Sequence, residues 1–278
     1  MIAPETEWQL PTRHLGQRVL VFTSLDSTNN HAGSWAHDRR QHGLAILARR
    51  QTAGRGQQGR SWVSPPDSSV LLSLLLFPPP ILRRPAILTA WAAVSVCATI
   101  RQTTGLDAHI KWPNDVLIQG RKVCGILIEQ QVVGGQPFGK QAAGELPTIV
   151  GIGLNVHQSQ ADFLQAGLLQ AGSLSLFTTS PLICQDVARR LLHQLDEEYD
   201  RVLQGDWVTL ETQWQARVGL IGKKVLVEQV NGTIVPGRLR NMTFQSVQLE
   251  TPDKSFQLSP EAVRHITLVE MNTSSDRL

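Results

Sequence analysis

The chain has 278 residues, 41% hydrophobic and 18% charged, which supplies a sizeable core and excludes wholesale disorder. Lys and Arg number 26 against 23 Asp and Glu, and the resulting +3 permits anionic ligands but is far from a nucleic-acid-coating composition. The longest uncharged apolar stretch, Ala86 to Ile100, is shorter than the roughly 18–20 residues of a membrane span, and the start MIAPETEWQLP has neither the basic nor the apolar region of a secretory signal.

In chain order, Arg18–Phe22 (RVLVF) reads as a strand, and Ser27 as the N-cap of a helix running to Arg39 or Arg40. Leu44–Arg49 is a second strand, followed by a Gly-rich stretch and the strand Val70–Phe77. Pro85 and Gly105 bracket a buried helix, with proline just inside its start and glycine just past its end. His109–Trp112 precedes a hairpin of Val116–Ile118 and Val123–Glu129 around Gln119-Gly120-Arg121. Gly134–Gly144 reads as a flexible loop. Thr148–Val156 is a strand whose glycines imply a close backbone approach. Helices follow over Pro181–Leu203 and, capped by Asp206, over Trp207, Leu210, Trp214 and Val218 to Gly219.

From Lys223 to Val269 the texture changes to short alternating runs around an Asn231-Gly232 turn, which predicts a small β-barrel. The expected division is therefore 18–205 and 219–270, with a frayed tail after Met271 and no internal repeat. Cys97, Cys124 and Cys184 are odd in number and widely spaced, against a disulfide framework or a zinc site, so a cytoplasmic location is expected.

The most informative string runs from Gln51 to Trp62 and contains Gly54, Gly56 and Gly59 in G-x-G-x-x-G spacing. A dinucleotide or P-loop site needs a helix starting at the loop, so that its N-terminus meets phosphate. Here Trp62-Val63-Ser64-Pro65-Pro66 follows, which opens no regular helix. The glycines still let backbone N–H groups approach an anion, and Arg55 and Arg60 add charge, although a solvated turn explains the string equally well. Lys111-Trp112-Pro113-Asn114-Asp115 is ordinary turn chemistry, or a set in which Asn114 and Asp115 hold Mg²⁺ or Asp115 receives a proton. Lys122 fits a solvated hairpin mouth or a group that neutralises a carboxylate or phosphate. Ser27-Thr28-Asn29-Asn30 offers more small polar side chains than capping needs.

Taken together, Ser27-Thr28-Asn29, Gln51 to Gly56, Lys111 to Asp115, Arg121 to Ile126 and Gly151-Ile152-Gly153-Leu154-Asn155 resemble biotin protein ligases in kind and order. The resemblance runs from about Val19 to Asn155. It implies an α/β fold, a mixed β-sheet with packed helices related to one class of aminoacyl-tRNA synthetases (class II), plus a small C-terminal SH3-like β-barrel. It implies two steps. Biotin's carboxylate attacks the α-phosphate of ATP to give biotinyl-5′-AMP, and a carrier lysine then attacks the mixed anhydride. The expected acceptor is the biotin carboxyl carrier protein of acetyl-CoA carboxylase.

By resemblance, Lys122 reaches the biotin carboxylate and Arg55 lies in the ligand loop, the two converging as cations at the reacting junction, with Mg²⁺ on the phosphates. Ser27, Thr28, Asn29 and Gln51 match biotin-binding positions. Gly151 and Gly153 let the strand lie against the biotin rings, and Asn155 faces the nucleotide. Gly54, Gly56, Gln57, Trp62, Asn114 and Gly125 complete the ligand site. Asp115 orients or deprotonates the attacking lysine, supported by Lys111.

One position departs from the family pattern. Gln57 stands where a second loop arginine is common, which puts retention of the adenylate in question. The segment before Arg18 is short for a DNA reader, so no DNA-binding role is expected. His157–Gly172 is either a lid or a surface amphipathic helix. Lipoate ligase or octanoyl transferase chemistry, an RNA-binding module and an inactive family member are the competing readings. Arg55 and the Trp112–Asp115 turn favour biotin, the terminal unit has only Phe244 and Phe256 as aromatics, and Arg55, Asp115 and Lys122 argue against inactivity. Monomer and homodimer both remain open.

Overall fold

The computed structural model describes residues 2–130 and 146–269. Its larger sheet has eight strands in the order β1-β2-β3-β4-β8-β7-β6-β5. These are β1 (Thr6–Gln9), β2 (Arg18–Phe22), β3 (Ala45–Ala48), β4 (Ser69–Leu76), β5 (His109–Lys111), β6 (Asp115–Ile118), β7 (Arg121–Gln130) and β8 (Thr148–Asn155). Among the described strands of this sheet only β2 and β3 pair in parallel, so the sheet is mixed.

Period-2 alternation divides the sheet's residues between two hydrophobic layers. On one face Leu72, Leu74, Val150, Ile152, Leu154 and Ile126 pack with α2 (Pro85–Thr104) and α4 (Cys184–Leu203). The α2 helix is apolar all round because it lies between the sheet and further helices. It ends at Gly105, whose φ of 75° suits the left-handed cap. On the other face Leu75, Ile149, Ile46 and Phe22 pack around the short α1 (Thr28–Gly33). That thinly covered face is where the strand glycines lie.

The second sheet is five-stranded and antiparallel, ordered β12-β11-β10-β9-β13. Its strands are β9 (Lys224–Gln229), β10 (Ile234–Met242), β11 (Val247–Glu250), β12 (Ser255–Leu258) and β13 (Val263–Leu268). The Asn231-Gly232 turn joins β9 to β10, in keeping with the SH3-like unit expected here. Between the two sheets, α5 (Trp207–Val218) supplies Trp214, which packs against Trp112 and Phe244 at centroid distances of 5.8 and 5.2 Å. Trp112 Nε1 donates to Val263 O at 3.0 Å.

Several elements differ from the sequence expectation. The helix after Ser27 stops at Gly33 rather than Arg39 or Arg40, and a separate 3-10 turn covers Arg39–Gln41. Two asparagines, Gly33 and Ser34 are poor helix formers, so one amphipathic run does not persist. Ser27 occupies the N-cap position but makes no side-chain capping bond. Strand β1 was unforeseen, because its largely exposed TEWQ pairs only at the sheet edge. The α4 helix begins at Cys184, not Pro181. Cys97 and Cys124 are buried and unpaired, and Cys184 is also free. No described helix is long and apolar enough to cross a membrane. The Gly134–Gly144 loop and the tail after Met271 lie outside the described residues.

Candidate active site

Strand register builds the site as two rows of side chains across β4, β8, β7 and β6. One row reads Leu71, Gly153, Gly125, Asp115, and the next reads Ser73, Gly151, Leu127. Three glycines at these positions leave a trough, and a narrow cleft of about 50 Å³ lies over it. Ser27, Thr28, Asn29, Gln51, Arg55, Gly56, Gln57, Trp62, Asn114, Lys122, Gly125, Gly151 and Gly153 all line it. Five segments far apart in sequence therefore meet on one surface.

The trough is occupied in part by the protein's own side chains. A Cβ on Gly151 would lie 2.4 Å from Asn29 Oδ1, and one on Gly153 would lie 2.5 Å from the Trp62 indole. These two glycines thus make room for Asn29 and Trp62. Gly54, also named as ligand-binding, is buried against the Trp62 carbonyl and Gln51 Nε2 and does not line the inner cleft.

A buried polar relay fixes the second row. Thr28 N and Oγ1 reach Gln51 Oε1 at 2.7 and 3.0 Å. Ser73 Oγ lies 2.7 Å from Thr28 Oγ1 and 2.5 Å from Asn29 Oδ1, and Asn29 Nδ2 donates to Glu129 Oε2 at 2.6 Å. Both Glu129 oxygens accept from Arg55 Nη2, at 2.9 and 2.7 Å, and Arg55 Nη1 donates to Asn30. Asn30 in turn donates to Asp26, which with the Ser27 backbone N–H and the nearby Arg55 charge holds the Asp26 carboxyl below its usual range. Sequence reasoning missed Ser73, Glu129 and Asp26. A lone hydroxyl inside the apolar run VLLSLLLF was the available signal for Ser73.

The first row carries the ammonium. Lys122 Nζ pairs with Asp115 Oδ1 at 2.6 Å and lies 5.8 Å from the Trp62 ring centroid. Its backbone is bonded to the segment after β8: Lys122 N donates to Gln170 O and Gly172 N to Lys122 O, both at 2.8 Å. Burial pushes the adjacent Cys124 thiol far up, so it is not a nucleophile. Trp62 Nε1 is buried and has no partner among the described residues.

A family model described as the biotin/lipoate A/B protein ligase family matches residues 21–140. The bifunctional ligase/repressor BirA of Bacillus subtilis is 31% identical over 82% of this chain and 68% of its own. The chain belongs to the biotin protein ligase family. A biotin–[acetyl-CoA-carboxylase] ligase of Mycobacterium tuberculosis is 29% identical, covering 73% of this chain and 71% of its own. The solved biotin protein ligase of Aquifex aeolicus, in complex with biotin and ATP, superposes with a TM-score of 0.73 at 21% identity, covering 90% of this chain and 99% of the other. The fold is thus that of biotin protein ligases.

Within this ligase architecture some expected placements change. Arg55 and Lys122 line the same cleft, the ammonium paired with Asp115 beside Gly125 and the guanidinium with Glu129, four positions further along β7. Asn155 is buried rather than facing the cleft. It accepts from Gln158 Nε2 at 2.8 Å and donates to Gly172 O at 3.0 Å, anchoring the segment read as a lid or a surface helix. Within that segment the helix α3 (Gln160–Gln165) carries a capping box and leaves Leu164 exposed. Lys111 is exposed opposite Asp115 on β5 and does not line the cleft.

Of the pair expected to hold Mg²⁺, Asp115 is paired with Lys122, and the Asn114 amide nitrogen donates to Ile126 O at 2.8 Å.

Proposed function

We propose that this chain is an ATP-dependent ligase that activates biotin as biotinyl-5′-AMP and transfers it to one lysine of a biotin carrier protein. The carrier subunit of acetyl-CoA carboxylase is the assigned acceptor. The observation that carries the reading is the meeting of the family's separate motifs on one cleft. Relatives named as biotin–[acetyl-CoA-carboxylase] ligases supply the carrier.

In the first step a biotin carboxylate oxygen attacks the α-phosphorus, and the bond to the bridging oxygen breaks with pyrophosphate leaving. Two anions must approach, so a cation at their junction lowers the barrier, by a few kcal/mol for a well-placed donor. Lys122 takes that role, held toward the cleft by Asp115. Thr28, Asn29 and Gln51 present fixed polar atoms to the ring end, with Arg55 closing that end.

In the second step a neutral lysine amine attacks the acyl carbon and AMP leaves. The amine arrives as an ammonium, and Asp115 is positioned to orient it or take its proton. Mg²⁺ bound with the triphosphate would offset phosphate charge, with Asn114 and Asp115 the side chains assigned to hold it. Residues 18–205 and 219–270 are the bounds we assign to the catalytic and C-terminal units.

Mass spectrometry of a carrier domain incubated with the chain, ATP, Mg²⁺ and biotin tests the reading. One biotin on one lysine is expected. ATP–pyrophosphate exchange that responds to lipoate and not to biotin would overturn the substrate assignment.

A further inference from the structure

We propose that Glu129 is a positioning residue that latches the Gly-rich loop to the floor of the cleft and so sets how long an acyl-adenylate stays bound. The inference rests on the ligase reading and concerns a residue outside every motif that identified it. Glu129 follows Gly125 and Leu127 on the cleft side of β7, at the end opposite Lys122. Its carboxylate has two distinct clients. Oε2 accepts from Asn29 Nδ2 at 2.6 Å, and both oxygens accept from Arg55 Nη2. Asn29 belongs to the floor, since it is 4% exposed and fixed from below by Ser73. Arg55 belongs to the loop. One carboxylate therefore joins floor to loop.

The loop needs such a tether. Gly54, Gly56 and Gly59 make it pliable, and Gln58 and Gly59 have positive φ. Its own backbone bonds, Trp62 N to Gly54 O and Gly56 N to Arg60 O, close the loop on itself. Between Gly54 and Ser61, among the described residues, the side-chain hydrogen bonds run through Arg55 to Glu129 and Asn30. A neutral acceptor at 129 would still satisfy Asn29 but would not offset the guanidinium. The charge is thus what the loop end of the latch requires.

The test uses the full chain loaded with labelled biotin and ATP, then chased with unlabelled biotin, at low and high ionic strength. Glu129→Gln keeps the size and the acceptor for Asn29. It is expected to release adenylate about fivefold faster, the scale of a half-exposed ion pair. Wild-type release should accelerate with salt, because salt screens the pair, and Glu129→Gln release should not. Glu129→Asp should lie between. In an Arg55→Gln background the Glu129→Gln change should have no further effect. Release within twofold of wild type, or a full Glu129→Gln effect persisting without Arg55, overturns the latch. A wild-type chain that forms no adenylate from biotin and ATP refutes the ligase reading instead, so the two failures are distinct.

Discussion

Replacing Gly151 with alanine puts the largest structural demand on the site for the smallest chemical change. The added Cβ would lie 2.4 Å from Asn29 Oδ1 and 3.0 Å from its Cγ and Nδ2. Asn29 cannot swing aside freely, because Ser73 holds its oxygen and Glu129 its nitrogen, at 2.5 and 2.6 Å. Overpacking costs about 1–3 kcal/mol, and stranding a buried polar group costs about 1–3 kcal/mol. The two overlap, since moving the amide relieves the clash by breaking the bonds, and about 2–3 kcal/mol is expected. A domain with about 5–15 kcal/mol of stability remains folded. Urea denaturation should read this loss directly. Biotin-dependent ATP–pyrophosphate exchange should show KM for biotin raised about tenfold, the effect of roughly 1.4 kcal/mol of lost binding, with KM for ATP nearly unchanged. Adding Asn29→Ser should recover at least half the stability by vacating the space, without recovering the KM. A Gly151→Ala chain within about 0.5 kcal/mol of wild type and with an unchanged KM would refute the packing argument.

Other outcomes follow from the same geometry. With Arg55 paired to Glu129 and Lys122 to Asp115, the losses in kcat/KM of Arg55→Gln and Lys122→Gln should add to within about 0.5 kcal/mol, and strong non-additivity would place them at one junction. His42 accepts the Phe77 N–H at Nδ1 (2.9 Å), and burial holds its pKa below the ordinary imidazole value of about 6.5. The unfolded chain then binds more protons just below that value, so stability falls as pH drops through it, and His42→Asn should make a Tm profile shallower there, the remaining slope belonging to His31, which burial also holds low. Asp26, also depressed, loses its contribution only below the ordinary carboxylate range. Trp112→Phe strands the Val263 carbonyl and should cost about 1–3 kcal/mol in urea denaturation, with under 0.5 kcal/mol counting against this bridge between the sheets. Gln57 lines the cleft without a charge, and Gln57→Arg should slow release of preformed biotinyl-AMP in a chase, whereas equal or faster release would sink the expectation.

Strand pattern and turn chemistry made much of the fold legible. Asn-Gly, Pro85 with Gly105, and Asp206 with Gly219 marked real boundaries, because each signal is a local conformational requirement. What failed depended on partners. The helix after Ser27 was overextended because later residues give it neither caps nor propensity, and β1 exists only by pairing with β2. Motif strings named most of the cleft lining but left out Ser73 and Glu129, whose importance comes from the register that brings them to Asn29. Asn155 shows the converse. Its motif was legible, but not that Gly172 and Gln158 would bury it.

The placement of Lys122 shows why composition and spacing alone stop short of a mechanism. Lys122 and Gly125 are three apart, and a regular strand would turn them to opposite faces. Lys122 would then join Cys124 against α2, an ammonium in an apolar layer with no carboxylate opposite, which is strongly unfavourable. The hairpin avoids this with a bulge: register steps from Val116↔Cys124 to Leu117↔Lys122, leaving Val123 as the extra residue. Val123 and Cys124 are consecutive and both 0% exposed. The bulge returns Lys122 to the face shared by Asp115, Gly125 and Gly153. A buried Val-Cys pair between a lysine and a glycine is thus the physical reason that the string Arg121-Lys122-Val123-Cys124-Gly125 can put a cation over a glycine trough.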